Sequence, residues 1–68
     1  MTIQRTIYPF KTCRKAAKLT QAEAAAAVGV TVGTVRRWEI GETYPNALNL
    51  EDMARAYGCA VDDLLGKE

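Results

Sequence analysis

Histidine is absent from this sequence, and only two cysteines and two prolines are present. Without histidine, the chain lacks the side chain most often used as a general base near neutral pH. Two cysteines without histidine are too few ligands for a tetrahedral zinc site. There is also no nucleophile elbow and no glycine-rich phosphate loop. We therefore expect no enzyme, no bound metal and no cofactor.

Long apolar stretches are also missing. No run approaches the roughly 20 residues that cross a bilayer, and the N-terminus has no apolar block typical of a signal peptide. We expect a soluble, cytoplasmic protein, in which Cys13 and Cys59 are reduced core residues; a disulfide is the alternative. With 68 residues, 49% of them hydrophobic, the chain can form one small domain with a modest core.

The charges are unevenly distributed along the chain, although the net charge is only +1. Residues 1–40 carry a formal charge of +5, and residues 41–68 carry −4. A basic half next to an acidic half creates an asymmetric field that favours binding a polyanion on one side. The modest net charge also leaves room for a protein partner.

The stretch from Leu19 to Gly41 predicts two short helices joined by a tight turn. Thr20 and Glu23 have the spacing of a capping box at the start of the first of these helices, which contains five alanines. Gly29 supplies the permissive backbone that ends it. Thr31 is then the N-cap of the second helix of the pair.

This second helix has an apolar stripe and a basic side. Val35, Trp38 and, marginally, Val32 recur every three residues, whereas Arg36 and Arg37 lie off the stripe. Two helices, a turn containing glycine and exposed basic residues are typical of a helix-turn-helix, whose second helix enters the DNA major groove. An ordinary helical hairpin with two solvated arginines is the alternative from pattern alone.

The remaining pattern predicts three further helices. One begins at Pro9 and runs to about Lys18. Another follows the N-cap Asn46, spans about 47–57 and ends at Gly58; a short fifth helix comes after it. The residues expected on the buried sides of these three helices are Phe10, Cys13, Ala17, Ala47, Leu50, Met53, Ala54, Tyr57, Val61, Leu64 and Leu65.

Residues 1–8 precede the helices and alternate loosely in polarity. They fit either a short strand or a flexible arm. One interpretation is a frayed terminus. The other is an arm that contacts DNA through Arg5 or pairs with a second subunit. We therefore divide the chain into an N-terminal arm at 1–8 and a helical domain at 9–66.

The chain from about Phe10 to Leu65 resembles the Cro/repressor-type helix-turn-helix domains of phage repressors and related bacterial regulators, also called lambda-repressor-like or XRE-family domains. The resemblance implies a compact, all-α, five-helix domain whose second and third helices form the motif. Its marks are Leu19-Thr20-Gln21, Ala25, Gly29-Val30-Thr31, Val35, Trp38-Glu39, Gly41, Pro45, the helix from Leu50 to Tyr57, and Gly58.

Base contacts are implied by this resemblance at Val32, Gly33 and Arg37, and less directly at Arg36. Arginine is the natural bidentate reader of guanine, and Val32, where the family usually has a polar residue, could contact a thymine methyl group. Gly33 offers only close approach of the backbone. In a helix it costs about 1 kcal/mol relative to alanine, and the sequence supplies no reason for that cost.

The resemblance also implies phosphate contacts and one structural ion pair. Arg14 and Glu39 match a pair that links the first helix to the end of the third, so Glu39 is interpreted as structural and Trp38 as a core residue. Helix N-termini present free N–H groups to anions. The implied phosphate contacts are Gln21, Thr31, Thr34, Thr43, Tyr44 and Asn46.

The pattern and the resemblance together predict a transcriptional regulator, most simply a repressor, that binds double-stranded DNA in a sequence-specific manner. Residues 31–40 would read the major groove, and a homodimer would supply a second reading helix. Leu48, the fifth helix and the arm are candidate dimer contacts. The alternative is a protein-interaction module on the same fold, similar to an antitoxin or an adaptor domain.

Overall fold

The computed structural model describes residues 8–66 and contains five α-helices and no strand in this range. The predicted all-α, five-helix architecture is therefore confirmed for the described part, and none of its helices is long and apolar enough to cross a membrane. Residues 1–7 of the predicted arm lie outside this range. The helices are α1 (Phe10–Ala16), α2 (Gln21–Val28), α3 (Val32–Glu39), α4 (Ala47–Tyr57) and α5 (Val61–Leu64).

Local capping bonds set where α2, α3 and α4 begin. The Oγ1 of Thr20 accepts from the N–H of Glu23 at 3.0 Å, and the Glu23 carboxylate accepts from the N–H of Thr20 at 2.9 Å. These bonds form the predicted capping box and lower the pKa of Glu23. Thr31 and Asn46 cap α3 and α4 by accepting from the backbone N–H three residues on. Four polar side chains therefore fix three helix starts.

The ends of the helices differ more from the sequence prediction. Gly29 and Gly58 end α2 and α4 with positive φ angles of 85° and 67°, as predicted. Pro9 is the N-cap of α1 rather than its first helical residue. This helix ends at Ala16 instead of near Lys18, because Lys18 itself adopts a left-handed φ of 61° without being glycine.

All five helices contribute to one hydrophobic core. Ala24 and Ala25 are buried on α2, and their small side chains allow this helix to pack closely against both α3 and α4. Ala47, predicted to be buried, is exposed because it lies in the first turn of α4, beyond the edge of the core. The buried core residues are Phe10, Ala24, Ala25, Val28, Val35, Trp38, Leu50, Met53, Tyr57 and Leu64.

The two cysteines are free thiols at the edge of this core, where both are partly buried. Burial, together with the neighbouring Cys13, raises the pKa of the Cys59 thiol to about 11. The Cys59 thiol is therefore protonated at neutral pH, which fits the expected role of a small apolar packing residue.

Candidate nucleic-acid interface

Helix α3 has two sides of different chemistry. Val35 and Trp38 are buried in the core, whereas Arg36 and Arg37 are exposed. Val32, which the apolar spacing assigned only marginally to the buried stripe, is 49% exposed at the start of the helix. The buried side thus attaches α3 to the domain and leaves two guanidinium groups and one apolar side chain available to a partner.

The exposed side of α3 borders a shallow groove of about 300 Å³, which is lined by Gly33, Arg36, Arg37, Ile40 and Glu42. The side chain of Arg37 lies along this groove. Its Nη1 is 3.8 Å from the position that a Cβ on Gly33 would occupy, and its Nε is 3.5 Å from Oε2 of Glu42. The groove combines bare helix backbone with planar donors that suit paired acceptors on phosphates or guanine.

Gly33 lies in a regular part of α3, and the described fold does not require a glycine there. Its φ is not positive. A Cβ at this position would meet Nη1 of Arg37 at 3.8 Å and Oγ1 of Thr31 at 4.0 Å, both ordinary contacts. The cost of a glycine inside a helix is therefore not offset by any steric need within the described residues, which favours a role in approaching an external partner.

We predict that Gly33→Ala raises the free energy of unfolding by about 0.5–1 kcal/mol, because alanine is the better helix former. The same change should weaken DNA binding if the backbone of α3 approaches the duplex. Urea denaturation measures the first effect, and fluorescence anisotropy with labelled DNA measures the second. Gly29→Ala is the matched control: the φ of 85° at Gly29 predicts a loss of about 1–2 kcal/mol instead. A destabilised Gly33→Ala variant would contradict the prediction.

A buried ion pair links α1 to the end of α3. The Nε of Arg14 donates to Oε2 of Glu39 at 2.6 Å, and Nη2 donates to Oε1 at 3.1 Å. The third nitrogen, Nη1, donates to the carbonyl of Leu19 at 2.8 Å. The bond to Glu39 raises the pKa of Arg14, while burial opposes the rise. Both charges are nearly inaccessible, yet every nitrogen of the Arg14 guanidinium and both oxygens of the Glu39 carboxylate have a hydrogen-bond partner, which is the condition for a buried pair to be tolerated.

Gln21, interpreted from the resemblance as a phosphate contact, joins this buried pair in the structure. Its Nε2 donates to Oε1 of Glu39 at 3.0 Å, and the residue is partly buried. An amide nitrogen carries two hydrogens, so one remains for an anion at the start of α2. Gln21 is thus placed between the structural pair and the expected DNA surface, and it can serve both.

The other residues named as phosphate contacts lie at the start of α3 and in the loop that follows it. The hydroxyl groups of Thr31 and Thr34 are 2.9 Å apart, so the pair retains one hydrogen for an external acceptor. Asn46 uses its Oδ1 to cap α4, which leaves its amide nitrogen as a donor. Thr43 is exposed. Hydrogen-bond donors therefore occur along the chain both before and after the exposed basic side of α3.

Tyr44 belongs to a small aromatic cluster that the sequence did not reveal. Its ring packs edge-on against Tyr8 with centroids 5.2 Å apart, and Tyr8 stacks on Phe10 at 5.6 Å. Burial, with a smaller effect of Tyr8, raises the pKa of the Tyr44 phenol. The side chain is still 52% exposed, so it presents a neutral hydroxyl donor at physiological pH.

Glu42 is the residue of this surface that sequence reasoning missed. It follows α3 and lies five residues beyond Arg37, so no helical spacing rule pairs the two side chains. Within residues 8–66, no three histidine, cysteine, aspartate or glutamate side chains are grouped as in a metal site. Among these described residues, Glu42 is thus not part of a metal-binding group. Its side chain instead forms an ion pair with Arg37 in the open groove.

Residues 10–64 match the helix-turn-helix family. Over 54 residues the chain is 35% identical to the cryptic phage CTXphi transcriptional repressor RstR of Vibrio cholerae serotype O1. This match covers 79% of this chain and 48% of that protein. Over 52 residues it is 40% identical to repressor protein C2 of Salmonella phage P22, covering 76% of this chain and 24% of that protein. The chain thus spans about half of one relative and a quarter of the other.

Solved structures show the same architecture. The crystal structure of the P22 c2 repressor in complex with a synthetic operator has a TM-score of 0.79 at 36% identity, covering 87% of this chain and 89% of that chain. The solution structure of the DNA-binding domain of the same repressor has a TM-score of 0.82 at 32% identity. This match covers 93% of this chain and 86% of that chain. These similarities confirm the five-helix, lambda-repressor-like fold implied by the sequence resemblance.

Proposed function

The chain belongs to the helix-turn-helix family, and on that basis we propose that it is a sequence-specific DNA-binding regulator that represses transcription. Residues 31–40 lie in the major groove in this proposal. Arg37 donates to O6 and N7 of a guanine, Arg36 contacts a neighbouring base, and Val32 packs against a thymine methyl group. Gly33 allows the helix backbone to approach the base edges. No catalytic step is assigned to the domain.

The observation that carries this proposal is the division of α3 into a buried side and an exposed basic side. A helix held by Val35 and Trp38 presents its basic side in a fixed orientation, which base reading requires and nonspecific charge attraction does not. Donors near α2, α3 and the following loop would then set the register on the DNA backbone. These proposed phosphate contacts are Gln21, Thr31, Thr34, Thr43, Tyr44 and Asn46.

We further propose that the regulator binds as a homodimer in the cytoplasm. One copy of α3 offers few base-reading side chains, so a second copy would supply the specificity that a single domain lacks. Leu48 is 66% exposed on α4 and is our first candidate for the contact between copies. α5 and the arm at residues 1–8, ahead of the proposed domain at 9–66, are the next candidates.

Selection of binding sites from random duplex DNA tests the proposal directly. We expect an enriched inverted repeat with half-sites about one helical turn apart, each containing a guanine that Arg37 can read. For about five phosphate contacts in each half-site, the logarithm of affinity should fall with the logarithm of salt concentration with a slope near −4.5 for one bound copy and about −9 for the dimer. Enrichment of a single half-site would remove the dimer, and no enrichment at low salt would favour an antitoxin-like or adaptor module.

A further inference from the structure

Arg37 is held at two points by the segment that follows α3. Its side-chain Nε is 3.5 Å from Oε2 of Glu42. Its backbone carbonyl accepts from the N–H of Glu42 at 2.9 Å and from the N–H of Thr43 at 3.4 Å. The main-chain bonds place Glu42 beside Arg37 whatever its side chain does. At this distance the carboxylate forms an ion pair with Nε, and the guanidinium lies along the groove with Nη1 3.8 Å from the Cβ position of Gly33.

The geometry of a guanidinium allows Glu42 and a base to be bound at the same time. The group carries five N–H donors in a planar fork, and the Glu42 contact is made by Nε. Nη1 and Nη2 remain, and together they form the edge that can donate to O6 and N7 of guanine. A partner on Nε therefore restricts the rotation of the side chain without using the donors that read the base.

The negative charge of Glu42 affects the binding of phosphates more than the binding of guanine. A phosphate that approaches Arg37 also approaches the Glu42 carboxylate, and the two negative charges repel each other. Guanine O6 and N7 carry no formal charge, so they do not meet this repulsion to the same extent. Glu42 should thus weaken binding to every duplex through its charge and improve discrimination between duplexes through its contact with Nε.

We propose that Glu42 is a positioning residue that sets the specificity of the interface by holding Nε of Arg37 while Nη1 and Nη2 read a guanine. This inference rests on the proposed DNA-binding function. It adds Glu42 to the proposed DNA interface as a residue that does not itself contact the base. The pair is about half exposed on both sides, at 56% for Arg37 and 51% for Glu42, so its strength is that of a surface ion pair and its effect should be correspondingly moderate.

Two variants separate the contact from the charge. Glu42→Ala removes both, whereas Glu42→Gln removes the charge and keeps a carbonyl oxygen that can accept from Nε. Affinities of the full chain are measured by fluorescence anisotropy for the selected duplex and for the same duplex with the guanine replaced. We expect both variants to bind the replaced duplex about threefold more tightly, and Glu42→Ala alone to lose about threefold in discrimination. Rescue of discrimination by glutamine is the distinguishing result.

Asp52→Ala is the matched control, because Asp52 forms an exposed ion pair with Arg55 on α4 at 3.2 Å. It removes the same charge without touching α3, so discrimination should not change. In an Arg37→Ala background, Glu42→Ala should also leave discrimination unchanged. All these carboxylate variants should unfold within about 3 °C of the original chain, since exposed pairs contribute little stability.

An equal gain in affinity for both duplexes in both Glu42 variants would overturn the inference, because Glu42 would then only repel DNA. Unchanged binding in both variants would overturn it as well. If the original chain shows no discrimination between the duplexes, the proposed function fails first and this inference fails with it. The three failures are distinguishable, since only the last appears before any substitution is made.

Discussion

Replacing Arg14 with methionine is expected to lower the free energy of unfolding by about 3–5 kcal/mol. Glu39 is only 8% exposed, and in this variant its carboxylate would lose both bonds from Arg14 and keep only the bond from Gln21. The carbonyl of Leu19 would also lose a donor. A buried charge without a counter-charge is among the most costly changes a small domain can undergo. Urea denaturation at neutral pH measures the loss.

The control is Arg55→Met on α4, where the partner pair is exposed and the expected change is below about 1 kcal/mol. A second variant, with both Arg14 and Glu39 changed to methionine, should regain part of the stability because no charge then remains buried. This double variant keeps the prediction testable if Arg14→Met does not fold at all. Equal effects of Arg14→Met and Arg55→Met would contradict a stabilising role for the buried pair.

Arg37→Ala is expected to lower discrimination between the selected duplex and one with the guanine replaced by about 5- to 150-fold, because a bidentate contact to a base is worth about 1–3 kcal/mol. Affinity for the replaced duplex should fall much less, since only one positive charge is lost. Fluorescence anisotropy at a single fixed salt concentration gives both affinities. The expected result is therefore a change in preference rather than a general loss of binding.

Arg37→Lys separates charge from geometry at the same position. Lysine keeps the positive charge but has no planar fork, so affinity for the replaced duplex should be retained while discrimination falls. Should Arg37→Ala weaken both duplexes by the same factor, Arg37 would be a phosphate contact and the assignment of the base reader would be wrong. Arg36 would then be the next arginine to test.

The parts of the fold that the sequence could predict depend on bonds between near neighbours. Thr20, Thr31 and Asn46 cap helices by accepting from the N–H three residues on, so their effect is visible in a short window of sequence. Gly29 and Gly58 end helices through their own backbone conformation. Such signals place α2, α3 and α4 accurately without knowledge of the tertiary structure.

The parts that could not be predicted depend on which distant partner a side chain meets. Gln21 bonds to Glu39 across 18 positions, and nothing local indicates that its amide is used inside the domain. Lys18 takes a left-handed conformation that sequence patterns assign to glycine, so the end of α1 was misplaced. The resemblance names Arg14 and Glu39 as partners, and the structure brings Nε of Arg14 within 2.6 Å of Oε2 of Glu39. The resemblance names no partner for Glu42, so the sequence does not predict its contact with Arg37.

The two sides of α3 have a consequence for how such a domain can evolve. Val35, Trp38 and Glu39 attach the helix to the rest of the chain. None of them belongs to the outward-facing set at positions 32, 33, 36 and 37, of which 33 is partly buried and the others are exposed. Exposed substitutions usually change stability by less than about 0.5 kcal/mol. Mutations at these four positions can therefore accumulate with little loss of folding. If these positions read DNA as proposed, a lineage could acquire new target sequences one residue at a time while every intermediate remains folded.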